Sequence, residues 1–249
     1  MREEGRLDRK NDAPPRFLAC GDAAITVEFG DAVDAGLNAR VLALDAALAA
    51  EAIEGVVETT PTYRSLLVHL DPLRLDRAAL IARIEALCRD LRPAATMARR
   101  WRVPVVYGGE SGVDLDELAA RHGMSAGALV ERHAGVVYRV YMIGFMPGFA
   151  YLGGLDPALA TPRRTEPRLT TPAQSVSIGG AQTAIASVAC PSGWHLIGRT
   201  PARGFMPGRD PPFLYEAGDE IVFAPIEASR WDALDRAAAA GEPVAERLA

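Results

Sequence analysis

Between Gly144 and Leu155, glycines and Pro147 bracket the aromatic rings of Phe145, Phe149 and Tyr151, directly after the strongest strand pattern in the chain. Glycine lets a backbone approach a ligand closely and proline fixes one dihedral. Amides in such a segment can therefore be held ready for a developing negative oxygen. The same residues would equally serve as a packed corner of a β-structure. Upstream, Gly108-Gly109-Glu110-Ser111-Gly112-Val113-Asp114 leaves a strand pattern and enters a helical one, an arrangement that turns amides toward an anion or a carbonyl. Crowding Glu110 against Asp114 would raise one carboxyl pKa and make a proton-handling pair. The alternative is that Asp114 caps the helix behind it.

His69, His122, His133 and His195 make no metal pair at helical spacing, and HExxH is absent. That leaves general acid or base work for His133 or His195, beside the plainer role of a packed ring. Arg163, Arg164 and Arg168 lie in a proline-bounded loop, where guanidinium forks either grip carboxylates and phosphates or simply face water. Ser175 lacks a GxSxG elbow, so a serine hydrolase triad has no support. The chain has one lysine, Lys10, which excludes a GK[ST] phosphate loop and disfavours Schiff-base or biotin-carrier chemistry.

These groups need elements to position them. Ile25, Val27 and Phe29 alternate with polar residues as a half-buried strand. Asp34 then introduces a helix with Leu37, Val41, Leu44 and Leu48 on one face. Strands over 56–60 and 65–70 flank the Pro61-Thr62-Tyr63 turn, and Asp76 opens a second helix bearing Leu80, Ile84, Leu87 and Leu91. This β-α-β-β-α order predicts a ferredoxin-like α+β domain over 17–98, with a boundary beyond Arg92-Pro93. A disordered leader is expected over 1–16. Short helices at 114–121 and 125–133 precede strands at 136–143, 175–178, 182–187, 194–198 and 220–224, which predicts a β-barrel domain over 99–230 and a helical tail over 231–249. The pentapeptide GFMPG occurs at 144–148 and again at 204–208 in unlike surroundings, which reads as coincidence.

The chain has 249 residues, 49% of them hydrophobic, and a net charge of −5, enough to bury a core and unsuited to nucleic acid or an anionic membrane. Cys20, Cys88 and Cys190 are far apart and form no CxxC, which fits a reducing compartment. The charged first residues lack the apolar core of a signal peptide. The location expected is cytoplasmic.

Six segments together carry a resemblance: PTYRSLLVHLDP (61–72), VPVVYGGESGVDL (103–115), YRVYMIGFMPGFAYLGGLDP (138–157), ATPRRTEPR (160–168), QSVSIGG with Gln182 (174–182) and SGWHLIGRTP (192–201). In order and over most of the chain they resemble the B-subunit family of 5-oxoprolinase, also labelled allophanate hydrolase subunit 1, carboxyltransferase subunit or KipI. The resemblance implies a ferredoxin-like domain followed by a cyclophilin-like barrel. It implies ATP-driven opening of 5-oxoproline to glutamate together with a cyclophilin-like partner subunit of the 5-oxoprolinase C type and a further one of the A type. The alternatives it carries are a carboxyltransferase subunit served by biotin on another protein and an inhibitor of a histidine kinase.

Position by position, the resemblance assigns catalysis to Glu110, Asp114 and His133. Substrate contacts fall on Gly108, Gly109, Gly144, Phe145, Pro147, Gly148, Phe149, Tyr151, Arg163, Arg168, Ser175, Gln182, Trp194, Arg199 and Thr200. ATP would be shared with the partner, since the chain has no phosphate loop of its own. Departures from the family pattern stand at Gln174, where glycine is usual, and at Gly179, Ala186, Ser187 and Ser192.

Overall fold

The computed structural model describes residues 13–91 and 98–248, and the chain forms two units, 1–96 and 97–249. Of the expected leader, residues 1–12 lie outside the described residues, as does the Arg92-Pro93 boundary; Arg16 already opens a strand.

In the first unit, β1 (Arg16–Ala19), β2 (Ala24–Glu28), β3 (Val56–Pro61) and β4 (Ser65–Leu70) form an antiparallel sheet in the order β1-β2-β4-β3. The helices are α1 (Ala35–Glu51) and α2 (Arg77–Arg89). The side chains of Asp34 and Asp76 accept the N–H groups of Leu37 and Ala79, each at 2.9 Å, and so cap the two helices. Ile25, Val27, Leu66 and Val68 from the sheet meet Leu37, Val41, Leu44, Leu48, Leu80 and Ile84 from the helices in one buried core. Burial of each such side chain contributes about 1.5–3 kcal/mol. The strand β1 was not expected: it is four residues long and mostly exposed, so it carries no alternation to read.

The second unit is built on a closed barrel. Its strands are β5 (Arg100–Tyr107), β6 (Tyr138–Ile143), β7 (Ala150–Gly153), β9 (Ser175–Gly179), β10 (Gln182–Ile185), β12 (His195–Arg199) and β13 (Glu220–Pro225). The order runs β12-β9-β10-β7-β6-β13-β5, and pairing of β12 with β5 closes the ring of seven. Among the described residues, β5 and β13 are the one barrel pair that runs parallel. A separate ribbon pairs β8 (Arg168–Thr171) with β11 (Cys190–Ser192). Val103, Val105, Val140, Leu152, Val176, Ile178, Ile185, Ile197 and Ile221 fill the interior, together with Leu118 and Leu129 from the short helices α3 (Leu115–Arg121) and α4 (Ala126–Ala134).

The C-terminal segment differs from the helical tail expected. Helix α5 (Trp231–Ala239) stops before Gly241, which holds φ at +89°, and β14 (Glu246–Leu248) then pairs antiparallel with β5. Gly241 and Pro243 break the helical run. Among the described residues no helix is long and apolar enough to cross a membrane.

Candidate functional site

The turn between β6 and β7 closes on itself. Gly144 N–H donates to Phe149 O at 3.1 Å, and Phe149 N–H donates to Met146 O at 3.0 Å. These two amides are therefore committed internally, whereas the N–H groups of Phe145, Met146 and Gly148 have no acceptor among the described residues. Phe145 holds φ at +71°, a costly conformation for a bulky residue, and the residue is 59% exposed. Ser187 Oγ donates to the Pro147 carbonyl and fixes the turn from below. Gly148, also at φ +71°, lies so close to the second GFMPG copy that a Cβ there would sit 2.8 Å from Phe205 Cβ and 3.1 Å from Gly204 O. The two pentapeptides thus face each other, and their duplication, which reads as coincidence in the sequence, becomes one joint of two loops.

From the exposed Phe145 an aromatic row runs inward to the buried Phe149 and Trp194. Phe145 meets Phe149 edge-on at 5.6 Å between centroids, Phe149 meets Tyr151 at 4.7 Å, and Tyr151 meets Trp194 at 5.9 Å. The Arg163 guanidinium lies 5.5 Å over Trp194. The indole rests directly on Gly179, where any side chain would overlap it, so a glycine at this departure from the family pattern admits the ring.

The carboxylates occupy different environments. Glu110 sits exposed on a short 3-10 turn, Gly109–Ser111, with no side-chain partner among the described residues. Asp114 is 3% exposed and stands at the start of α3, but its side chain makes no capping bond. It accepts Arg168 Nη1 and Nη2 at 2.9 and 2.6 Å, Arg164 Nη1 at 3.3 Å and the Leu196 N–H at 2.7 Å. Burial alone would raise its pKa. The Arg168 hydrogen bonds, the Leu196 N–H and the charges of Arg168 and Arg164 outweigh burial and hold the carboxyl below its ordinary value.

His133 lies in the barrel interior, fully buried and stacked 4.9 Å from Phe223. Tyr107 Oη is 2.8 Å from Nδ1, and Thr183 Oγ1 is 3.0 Å from Nε2. Thr183 donates its own proton to Ser177 O at 2.8 Å, so Nε2 must carry the hydrogen and Nδ1 accepts from Tyr107. Burial drives the imidazole pKa down to about 3. A neutral ring with both nitrogens held by protein groups is a strut between β5, α4 and β10. It does not present either nitrogen to an outside ligand.

The remaining candidates gather at one rim. Arg199 on β12 pairs with Ser175 on β9. The Ser175 carbonyl accepts the Ala186 N–H at 2.9 Å, next to Ser187 and hence to the Pro147 turn. Ser175 Oγ donates to Pro172 O at 2.7 Å, so its proton is committed to the backbone. Gln174 holds φ at +66° and donates Nε2 to Pro201 O at 3.2 Å, while Thr200 Oγ1 accepts the Ala202 N–H at 3.1 Å. Gln182 is half-buried on β10 opposite Gly179. Gly108 N–H donates to Ile197 O at 3.1 Å, so the Gly108–Asp114 loop lies against β12. The structure thus joins 144–151 with Trp194 and Arg163, joins Asp114 with Arg168, and sets His133 apart from both. Sequence reasoning missed Gly204, Phe205 and Trp231 as site residues and named Ser187 only as a departure from the family pattern; the repeated pentapeptide was the signal that pointed to Gly204 and Phe205.

The chain is similar to known proteins in both sequence and fold. Residues 15–215 match the family described as carboxyltransferase domain, subdomain C and D, and the chain belongs to that family. It is 35% identical to the B subunit of 5-oxoprolinase from Bacillus subtilis (strain 168), covering 86% of this chain and 93% of that one. To the B subunit of 5-oxoprolinase from Escherichia coli O157:H7 it is 40% identical, covering 84% and 95%. A putative urea carboxylase of Emericella nidulans is 22% identical over 90% of this chain, which spans only 21% of that protein. The crystal structure of TTHA0988 superposes with a TM-score of 0.74 at 36% identity over 82% of this chain, and the chain spans 40% of that one.

Proposed function

We propose that this chain is the B-type subunit of an ATP-dependent 5-oxoprolinase, converting 5-oxoproline, ATP and water to glutamate, ADP and phosphate with a cyclophilin-like partner subunit. The observation that carries the reading is the match, over nearly the full length of proteins named as 5-oxoprolinase B subunits, to a chain whose Gly144–Phe149 turn keeps three amides free. The β2-α1-β3-β4-α2 order supports a ferredoxin-like first domain, and the seven-stranded ring supports a cyclophilin-like second one. The location proposed is cytoplasmic.

A lactam is a resonance-stabilised amide that opens slowly in water. Transfer of a phosphoryl group from ATP to its oxygen makes the carbon electrophilic. In this reading the Phe145, Met146 and Gly148 N–H groups face that oxygen, because they are held in place before substrate arrives and cost no reorganisation. Glu110, exposed and unpartnered, is the proton carrier. Asp114 is a positioning residue, since its oxygens are filled by arginines. Anionic groups fall to Arg163 and Arg199, whose forks meet no carboxylate among the described residues, whereas Arg168 is occupied by Asp114. ATP is a substrate here, and with no phosphate loop in the sequence the nucleotide must be held largely by a partner.

The test is 5-oxoproline-dependent ADP release by the purified chain mixed with its candidate partner subunits. Turnover that needs both supports the reading, and no turnover in any combination overturns it. A carboxyltransferase served by biotin on another protein is the second reading, favoured by the family description and by the urea carboxylase likeness. Decarboxylation of a carboxybiotin donor by the same mixture, in place of ADP release, would establish it.

A further inference from the structure

In the second unit, Arg99, Arg100, Arg102, Arg132, Arg164, Arg168 and Arg203 each meet a carboxylate within 4 Å. Arg199 does not. Its Nε–H donates to Ala173 O at 3.2 Å, its guanidinium lies 4.5 Å over the ring of Trp231, and neither Nη has an acceptor among the described residues. The result is a fork anchored at its root and placed over an indole, with both outer nitrogens unclaimed among the described residues. Partial burial lowers its pKa from the ordinary arginine value, which means that the charge has lost more to desolvation than the nearby Asp235 restores. Trp231 opens α5 and lies beyond residue 215, where the family match ends.

We propose that Arg199 and Trp231 form a subsite for a ligand carboxylate at the barrel rim. Arg199 donates both Nη–H groups to the two oxygens, and Trp231 is the positioning residue that holds the guanidinium plane. A chain of contacts links Arg199 to the Gly144–Phe149 turn. Arg199 is next to Ser175 across one strand pair, Ser175 is bonded to Ala186, and Ser187 grips Pro147. Local charge favours a monoanion. Arg203 pairs with Asp235 at 2.9 Å, and Asp235 also acts on Arg199, so an acidic group already offsets part of the positive charge and disfavours a multiply charged phosphate relative to a carboxylate.

The assignment deepens the 5-oxoprolinase reading and rests on it for the identity of the ligand, 5-oxoproline, which carries such a carboxylate. Two measurements separate the failure of one from the failure of the other. In the assembled enzyme, Arg199→Gln should raise KM for 5-oxoproline about 10- to 100-fold and Trp231→Ala about 3- to 10-fold, with kcat nearly unchanged. Trp231→Phe should restore most of the loss, because a smaller ring still supports the cation. In the chain alone, emission from Trp231, taken as wild type minus Trp231→Phe, should change on titration with acetate or 5-oxoproline and not with neutral 2-pyrrolidinone.

An assembled wild type without turnover would remove the 5-oxoprolinase reading while the emission titration still decided the subsite. Unchanged KM in folded Arg199→Gln and Trp231→Ala enzymes would overturn the subsite even with wild-type turnover intact. So would an emission response to phosphate alone, or equal responses to 2-pyrrolidinone and 5-oxoproline.

Discussion

Asp114 holds Arg168 by both guanidinium Nη atoms, at 2.6 and 2.9 Å, from the far side of the loop that also carries Arg163. A motif that looks like a row of anion-binding arginines is therefore divided. Arg164 and Arg168 tie the 162–168 loop to the start of α3 and, through the Leu196 N–H, to β12. Arg163 is left over the Trp194 ring with no carboxylate partner among the described residues.

Removing the Asp114 charge should be costly because it strands two part-buried guanidinium groups. Asp114→Asn is expected to lose about 3 kcal/mol of stability in urea unfolding at pH 7. The folded carboxyl has a pKa below its unfolded value, so its contribution is present above about pH 3.9 and fades as pH falls through the folded value. The wild-type minus Asp114→Asn difference should accordingly shrink under acid. A difference that stayed flat from pH 7 to the acid limit would mean the arginines are not what stabilises the carboxylate.

Arg163 and Arg168 should then separate in function. Arg168→Gln is expected to destabilise the unit by about 2 kcal/mol, since it leaves Asp114 buried beside only Arg164. Arg163→Gln, an exposed change, should alter stability by no more than about 0.5 kcal/mol. In the assembled enzyme Arg163→Gln should raise KM for an anionic substrate about tenfold. Thermal unfolding and steady-state kinetics on the same preparations read both. An Arg163→Gln enzyme with wild-type KM would assign that arginine to the surface alone.

Much of the framework was legible because periodicity and capping agree locally. Asp34, Asp76 and Ser125 cap the helices their positions imply, and the strands over 56–61, 65–70, 175–179 and 220–225 stand where alternation puts them. What stayed hidden was set by partners distant in the chain. The short strands β7, β8, β11 and β14 have three or four residues each, too few for a period, and exist because a neighbour pairs with them. Asp114 looked like a cap and a proton carrier, yet its chemistry is decided by arginines 50 and 54 residues away. His133 preceded a strand as an ordinary candidate base, and only Tyr107 and Thr183 reveal it as a neutral strut.

The joint between the two GFMPG loops makes a test with its own control. Gly148 needs the left-handed region and has Phe205 and Gly204 against it, so Gly148→Ala combines a conformational penalty with overpacking and should cost about 2–4 kcal/mol. Gly208, the equivalent glycine of the other copy, has nothing within 4 Å of the place a methyl would occupy, and Gly208→Ala should stay within about 0.5 kcal/mol. Chemical denaturation of the pair measures the contrast. Equal losses would mean that the loops do not meet as described.

The buried imidazole carries the sharpest pH expectation. In the unfolded chain His133 takes up a proton below about pH 6.5, whereas in the folded barrel its pKa is about 3. Between these values the unfolded state binds more protons, so stability rises with pH, by at most about 1.4 kcal/mol per pH unit for this one group. Its contribution is complete above about pH 6.5 and is lost progressively toward about pH 3. Asp114 acts only at the lower end of that window, so the slope between about pH 6.5 and 5 isolates the histidine. Unfolding free energies across that interval should slope upward in wild type and flatten in His133→Gln, whose amide keeps one of the two hydrogen bonds. Nitrogen-15 NMR should show one imidazole protonated only at Nε2 and unchanged from about pH 8 to 5. A ring that titrated near its ordinary value of about 6.5 would place His133 in contact with solvent and return it to the candidate proton carriers.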